Sequence, residues 1–174
     1  RYAHKDSIEM NRIKRILIIF SIVSSLAGCN ENDSSNPVDV ESTDIENLIE
    51  SNFSLWKSNY IENYMFTYYS SPNDCPQADP FPPRIITVEN SVVVSVYVPD
   101  FGTTVSIGDS PTIDDLFSSM IESAASNPMI FSGSPADENS LPEFNQQYGF
   151  PESYFIDVSE SECDGATYSV SEFQ

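Results

Sequence analysis

Histidine is nearly absent from this chain: 174 residues hold one, His4. Beyond that position no Ser–His or Cys–His nucleophile pair and no histidine-bearing zinc site can be built. Basic residues are almost as scarce, with seven Lys and Arg against 27 Asp and Glu. The three cysteines, Cys29, Cys75 and Cys163, are too far apart in sequence for a CxxC redox pair. Glycine numbers six and nowhere forms a Gly-rich loop behind a strand, so no phosphate cradle is expected. The longest apolar run, Ile16 to Ala27, is 12 residues, short of the roughly 20 that cross a bilayer as a helix. Paired carboxylates suited to glycoside hydrolysis are expected by chance in so acidic a chain. No enzyme activity and no cofactor is therefore expected.

That apolar run is the first positive signal. Met10 is the expected start, with residues 1–9 an upstream extension. Arg12, Lys14 and Arg15 form a positive segment before Ile16 to Val23, the layout of a secretory signal over residues 10–28. Leu26-Ala27-Gly28-Cys29 resembles the lipobox of bacterial lipoproteins; a signal anchor with Cys29 incidental is the competing reading. The resemblance implies lipid on the Cys29 sulfur, cleavage before Cys29 and acylation of the new amine. Two or three acyl chains hold a protein stably on a membrane, at about 0.8 kcal/mol per buried methylene. Asn30, by resemblance to lipoprotein sorting rules, favours the outer membrane. The expected address is the bacterial cell envelope, with the membrane reached through Cys29.

Removing residues 1–28 sharpens the charge. Five of the seven basic residues go, leaving Lys57 and Arg84 against 25 acidic residues, a formal charge of −23. Such a chain is repelled by nucleic acid and by anionic lipid surfaces. A cationic protein or a metal ion is the partner such a charge admits, though a solvated acidic surface is the plainer reading. A monomer is expected. Cys75 and Cys163 remain, and an even remainder in an oxidising compartment suggests one disulfide, with two free thiols the alternative.

Residues 29–42 are polar and acidic and read as a flexible tether. Residues 43–174 read as one α+β domain: a mainly antiparallel sheet of about five to six strands packed by two helices. Thr43 with Glu46 is a candidate capping box. Ile45, Leu48, Ile49, Phe53, Trp56 and Tyr60 share one helical face, with Trp56 a core anchor. Residues 63–70 read as an aromatic strand, with Tyr64, Phe66 and Tyr68 on one side. The five prolines in residues 71–83 make a loop. Residues 84–89 and 92–98 read as a hairpin turning at Asn90-Ser91. Val92-Val93-Val94, apolar on both faces, suggests a central strand. Residues 99–109 read as a loop. A second helix starts near Thr112 with Asp114 and Asp115 in its first turn and an apolar stripe including Ile121. Residues 128–141 read as a surface excursion. A short Glu143–Asn145 piece, a strand over 153–158 and a final strand over 166–173 complete the chain. A Cys75–Cys163 bond would bring the end of the first strand to the start of the last and set the two antiparallel.

The order of these pieces resembles the DUF6174 family of bacterial secreted and lipid-anchored proteins of unknown function. Trp56 with Tyr64-Met65-Phe66, the hairpin Ile86 to Val92, Thr112 to Phe117, Tyr148 to Pro151 and Ile156-Asp157 carry the resemblance, over roughly 53–173. Departures are Phe144-Asn145 in place of Tyr-Asp, Ser91 in place of Gly, and Cys75 without a paired cysteine. The resemblance implies a small α+β domain and no activity.

Two functional readings follow. The first is a non-catalytic domain that binds a protein or an envelope component. The second is binding or sensing of a small ligand or a divalent cation such as calcium. Hard cations need several oxygens at once. Asp157, Glu160, Glu162 and Asp164 form one acidic loop, and Asp137, Glu138 and Asn139 another. Neither has EF-hand spacing, and a solvated loop is the plainer reading. Tyr60, Tyr64, Tyr68 and Tyr69 are candidates for a ligand groove, with core packing the plainer role. Radiolabelled palmitate tests the anchor: the chain should take up label, and a Cys29→Ala chain should not. Label on Cys29→Ala contradicts the assignment.

Overall fold

The computed structural model describes residues 42–73, 75–108 and 110–174. The expected signal segment, Cys29 and residues 29–41 of the expected tether lie outside the described residues. Residue 42 is already helical.

Helix α1, Ser42–Ser58, begins before Thr43, so the expected box lies inside the first turn. Asp44 stands in that turn, where a carboxylate suits the positive end of the helix dipole and extends the helix. Ile45, Ile49 and Trp56 are buried along one face, as the spacing predicts. Tyr60 leaves the stripe: it follows the helix end at φ 51° and is 89 % exposed.

Strand β1, Tyr64–Pro72, alternates as expected, with Tyr64, Phe66 and Tyr68 buried. It runs past residue 70 because its pairing with the chain's last strand continues to Pro72↔Ala166, whereas its ladder to the next strand stops at Tyr68↔Arg84. Beyond that point β1 is paired on one side only, where a proline without an N–H is tolerated. Strands β2, Arg84–Glu89, and β3, Val92–Val98, form the expected hairpin. Asn90 and Ser91 both take positive φ, at 51° and 63°, the geometry of a two-residue primed turn.

Strand β3 is not central. It lies second from the edge, beside β4, Thr103–Val105, which follows a 3-10 turn at Pro99–Phe101. The β2–β3 register shifts between Thr87 and Val88, so that Thr87 faces Ser95 while Val88 faces Val93. This bulge at Val94 turns both Val93 and Val96 into the core and leaves Val92 and Val94 exposed.

Helix α2, Ile113–Ala125, buries Ile113, Leu116, Phe117, Met120 and Ala124, but Ile121 points to solvent. The expected surface excursion at 128–141 contains β5, Ile130–Ser132, where Phe131 and Ser132 are buried. The short β6, Glu143–Phe144, leads to β7, Pro151–Asp157, and β8, Gly165–Ser171.

The sheet order is β4-β3-β2-β1-β8-β7-β5, with β6 also on β7, and every pairing is antiparallel. β5 lies opposite residues 155–157 and β6 opposite 151–153, one after the other along the outer side of β7. The fold is the expected α+β domain with a wider sheet of eight strands. Both helices join one core with the face carrying Tyr64, Phe66, Tyr68, Ile86, Val96 and Tyr154. Trp56, 2 % exposed, meets Tyr64 edge-on at 5.4 Å between ring centroids. Burying such a ring contributes about 2–3 kcal/mol.

Gly149 locks the C-terminal half to α1. Its φ is 85°, and an added Cβ would stand 2.5 Å from the Asn52 carbonyl oxygen and 3.0 Å from the Trp56 nitrogen. The turn is held by the Gly149 N–H donating to the Asn145 oxygen at 2.8 Å. Phe150 then stacks on Phe173 at 4.6 Å, and Phe173 lies 5.8 Å from Trp56. Gly149→Ala adds a left-handed penalty to a backbone clash. It should lower stability by more than about 2 kcal/mol, read as a lower urea midpoint. An unchanged midpoint contradicts this role.

Candidate functional site

Cys75 and Cys163 are bonded, with Cα atoms 4.4 Å apart and a sequence separation of 88. The bond stands where β1 ends and β8 begins. β1 and β8 are antiparallel neighbours, paired from Thr67↔Ser171 to Pro72↔Ala166. A recess of about 240 Å³ adjoins this corner, lined in part by Ser70, Phe81, Cys163, Asp164 and Tyr168.

The acidic loop beside the disulfide is not gathered into a metal site. Asp157 is buried at the end of β7, whereas Glu160 and Glu162 are exposed. Asp164 accepts a hydrogen bond from Ser159 Oγ at 2.7 Å. Among the described residues no three His, Cys, Asp or Glu side chains are grouped to hold a metal ion. In the second acidic loop Asp137 Oδ1 accepts from the Asn139 N–H at 3.1 Å, which is turn chemistry.

The candidate tyrosines separate. Tyr60 is exposed, Tyr69 is half-buried on the sheet face away from the helices, and Tyr64 and Tyr68 are in the core. Tyr64 anchors the start of α2. The Ile113 N–H donates to its Oη at 3.0 Å. Next to it Thr112 and Asp115 form a complete capping box. Asp115 Oδ2 accepts from the Thr112 N–H at 2.9 Å and from its hydroxyl at 2.7 Å, while Thr112 Oγ1 accepts from the Asp115 N–H at 3.1 Å. The helix N-terminus is thus occupied by the chain's own groups. Burial pushes the Tyr64 hydroxyl up to about 12, and the nearby Asp114 and Asp115 charges add to the shift.

A second group forms where the sequence shows no motif. Tyr68, Tyr154 and Tyr168 come from three adjacent strands, β1, β7 and β8. Tyr154 and Tyr168 stack at 4.8 Å. The Arg84 guanidinium lies over the Tyr68 ring at 5.1 Å, and its Nε is buried without a hydrogen-bond partner. Stacking on an aromatic ring compensates part of that cation's desolvation. Burial raises all three phenols. For Tyr68 the neighbouring Tyr168 adds to the rise and Arg84 opposes it. The group follows from the β1–β8 register, so the cysteine pairing was the one sequence signal leading to it.

The family model described as "Family of unknown function (DUF6174)" matches residues 48–174. The chain belongs to the DUF6174 family. No curated protein and no solved structure gives a significant match. Three of the segments that carry the resemblance have structural work in the fold of this DUF6174 member. Thr112 to Phe117 caps and buries α2, Asn90-Ser91 turns the hairpin, and Gly149 to Pro151 docks the last strands on α1.

The raised phenols predict a loss of stability at alkaline pH. Each raised phenol holds its proton to a higher pH in the folded chain than in the unfolded chain, which ionises near the ordinary value of 10. The folded state then holds more protons, so stability declines as pH rises above about 10, by up to about 1.4 kcal/mol per pH unit for each phenol. Urea midpoints from pH 8 to 11.5, with tyrosinate absorbance, should show that decline, and Tyr64→Phe should make it shallower. A flat profile contradicts the closed tyrosine core.

Proposed function

We propose that this DUF6174 member is a lipoprotein of the bacterial envelope, anchored through Cys29 in the outer membrane. Its domain is a non-catalytic module that binds a basic protein. The supporting observation is the charge asymmetry. After residue 28 only Lys57 and Arg84 are basic, against 25 acidic residues. Lys57 is engaged with Asp114 at 3.0 Å, and Arg84 lies over Tyr68. A surface so free of available cations speeds encounter with a basic partner and rejects acidic ones. Tethering to a membrane raises the local concentration for a partner in the same compartment.

Crosslinking in intact cells that carry the full chain tests this reading. A basic partner should be recovered near 50 mM salt and lost near 500 mM, where screening shortens the reach of the charges. Recovery of nothing, or only of partners whose yield ignores salt, contradicts it.

A further inference from the structure

Among the described residues thirteen large apolar side chains are exposed, and six of them fall between positions 92 and 107. They surround one edge of the sheet. β4 is the outermost strand, and no described strand pairs with its outer side. All three of its residues are exposed. Val92, Val94 and Tyr97 lie exposed along β3, and Val105 opposes buried Val96 in the ladder. Phe101, 68 % exposed, closes one end of the edge, and Ile107 follows the other. The edge therefore offers unpaired backbone groups bordered by apolar side chains, which is what strand addition uses.

Natural sheets guard such edges with charges, lysine above all. Here residues 85–174 contain no Lys, Arg or His. Asp100 sits exposed in the turn directly before β4, and Arg84, which heads β2 next to the Ile85–Tyr97 pair, is turned over the Tyr68 ring. Two copies meeting at this edge would bring together domains of the same large negative charge. That repulsion guards against self-pairing without lysine and leaves the edge open to a strand of opposite charge.

We infer that the β4 edge is a docking site for an extended, arginine- or lysine-bearing segment of a basic protein, which adds as a further strand beside Thr103–Val105. This rests on the proposed binding of a basic partner and assigns it a place and a mode.

The test uses the full chain in detergent and two synthetic extended peptides with the same apolar residues, one with arginines and one with glutamates at the alternate positions. A photoreactive benzoylphenylalanine is placed at position 104 in one preparation and at the distant, exposed position 129 in another. The arginine peptide should bind at least about tenfold more tightly than the glutamate peptide and should crosslink from 104 and not from 129. Phe101→Ser and Val94→Ser should weaken it about fivefold or more while the melting temperature is unchanged, so that loss of fold is not mistaken for loss of the site. Arginine-peptide binding that crosslinks from 129 and ignores these substitutions overturns the edge site but leaves the basic-partner reading standing. Equal binding of both peptides overturns the cationic occupant. Crosslinks between two copies through position 104 put a second copy there instead. Binding of neither peptide overturns the edge site, and the cell crosslink above then judges the basic-partner reading separately.

Discussion

The β1–β8 ladder is the joint on which this domain depends. β1 to β4 form one meander of sequence neighbours, and β5 to β8 form a second group around β7. Among the described strands only β1 and β8 connect them. The ladder is extended at its far end by reciprocal bonds between Met65 and Gln174, at 3.0 and 2.9 Å. The Cys75–Cys163 bond closes its other end across 88 positions. Bringing strands together over such a distance carries a large loop-closure entropy cost. In the chain-entropy model the disulfide removes roughly 4–5 kcal/mol of that freedom from the unfolded chain, and often less in practice. Phe173, just beyond β8, packs on Trp56, Tyr64 and Phe150, so the ladder also holds α1 and the Gly149 turn in place.

The elements with a long, regular pattern were readable in the sequence. The runs rich in Val, Ile and Thr at 84–89 and 92–98, divided by Asn90-Ser91, give their own limits, and the pairing of two cysteines placed the first strand against the last. The three-residue strands β4 and β5 were not readable. Three residues complete barely one alternation, and both strands sit among loop-forming residues. The Val94 bulge hid in a run of valines, where one inserted residue changes no composition. Thr112 to Asp115 was read as a helix start, but its box uses Asp rather than the usual Glu or Gln. The Tyr68–Tyr154–Tyr168 group spans three strands and appears only once their register is known.

The chemistry of the domain is directed inward. Tyr64 caps a helix, Thr112 and Asp115 satisfy each other, and Asp137 closes its own turn. What the fold leaves outward is a strongly acidic surface and one apolar sheet edge. An α+β scaffold of this size serves many uses, so function is argued from that surface. The acidity and the bare edge belong together: like charge keeps copies apart, and an edge without lysine can remain open.

Native-state hydrogen exchange on the oxidised and reduced chain tests the role of the β1–β8 joint directly. Amides of β1 and β8 should exchange only through global unfolding. Reducing the disulfide should lower protection together in the β2–β3 hairpin and in β7. If β1 and β8 amides exchange more readily than those of the hairpin, or if one half keeps its protection after reduction, the two halves do not depend on this joint.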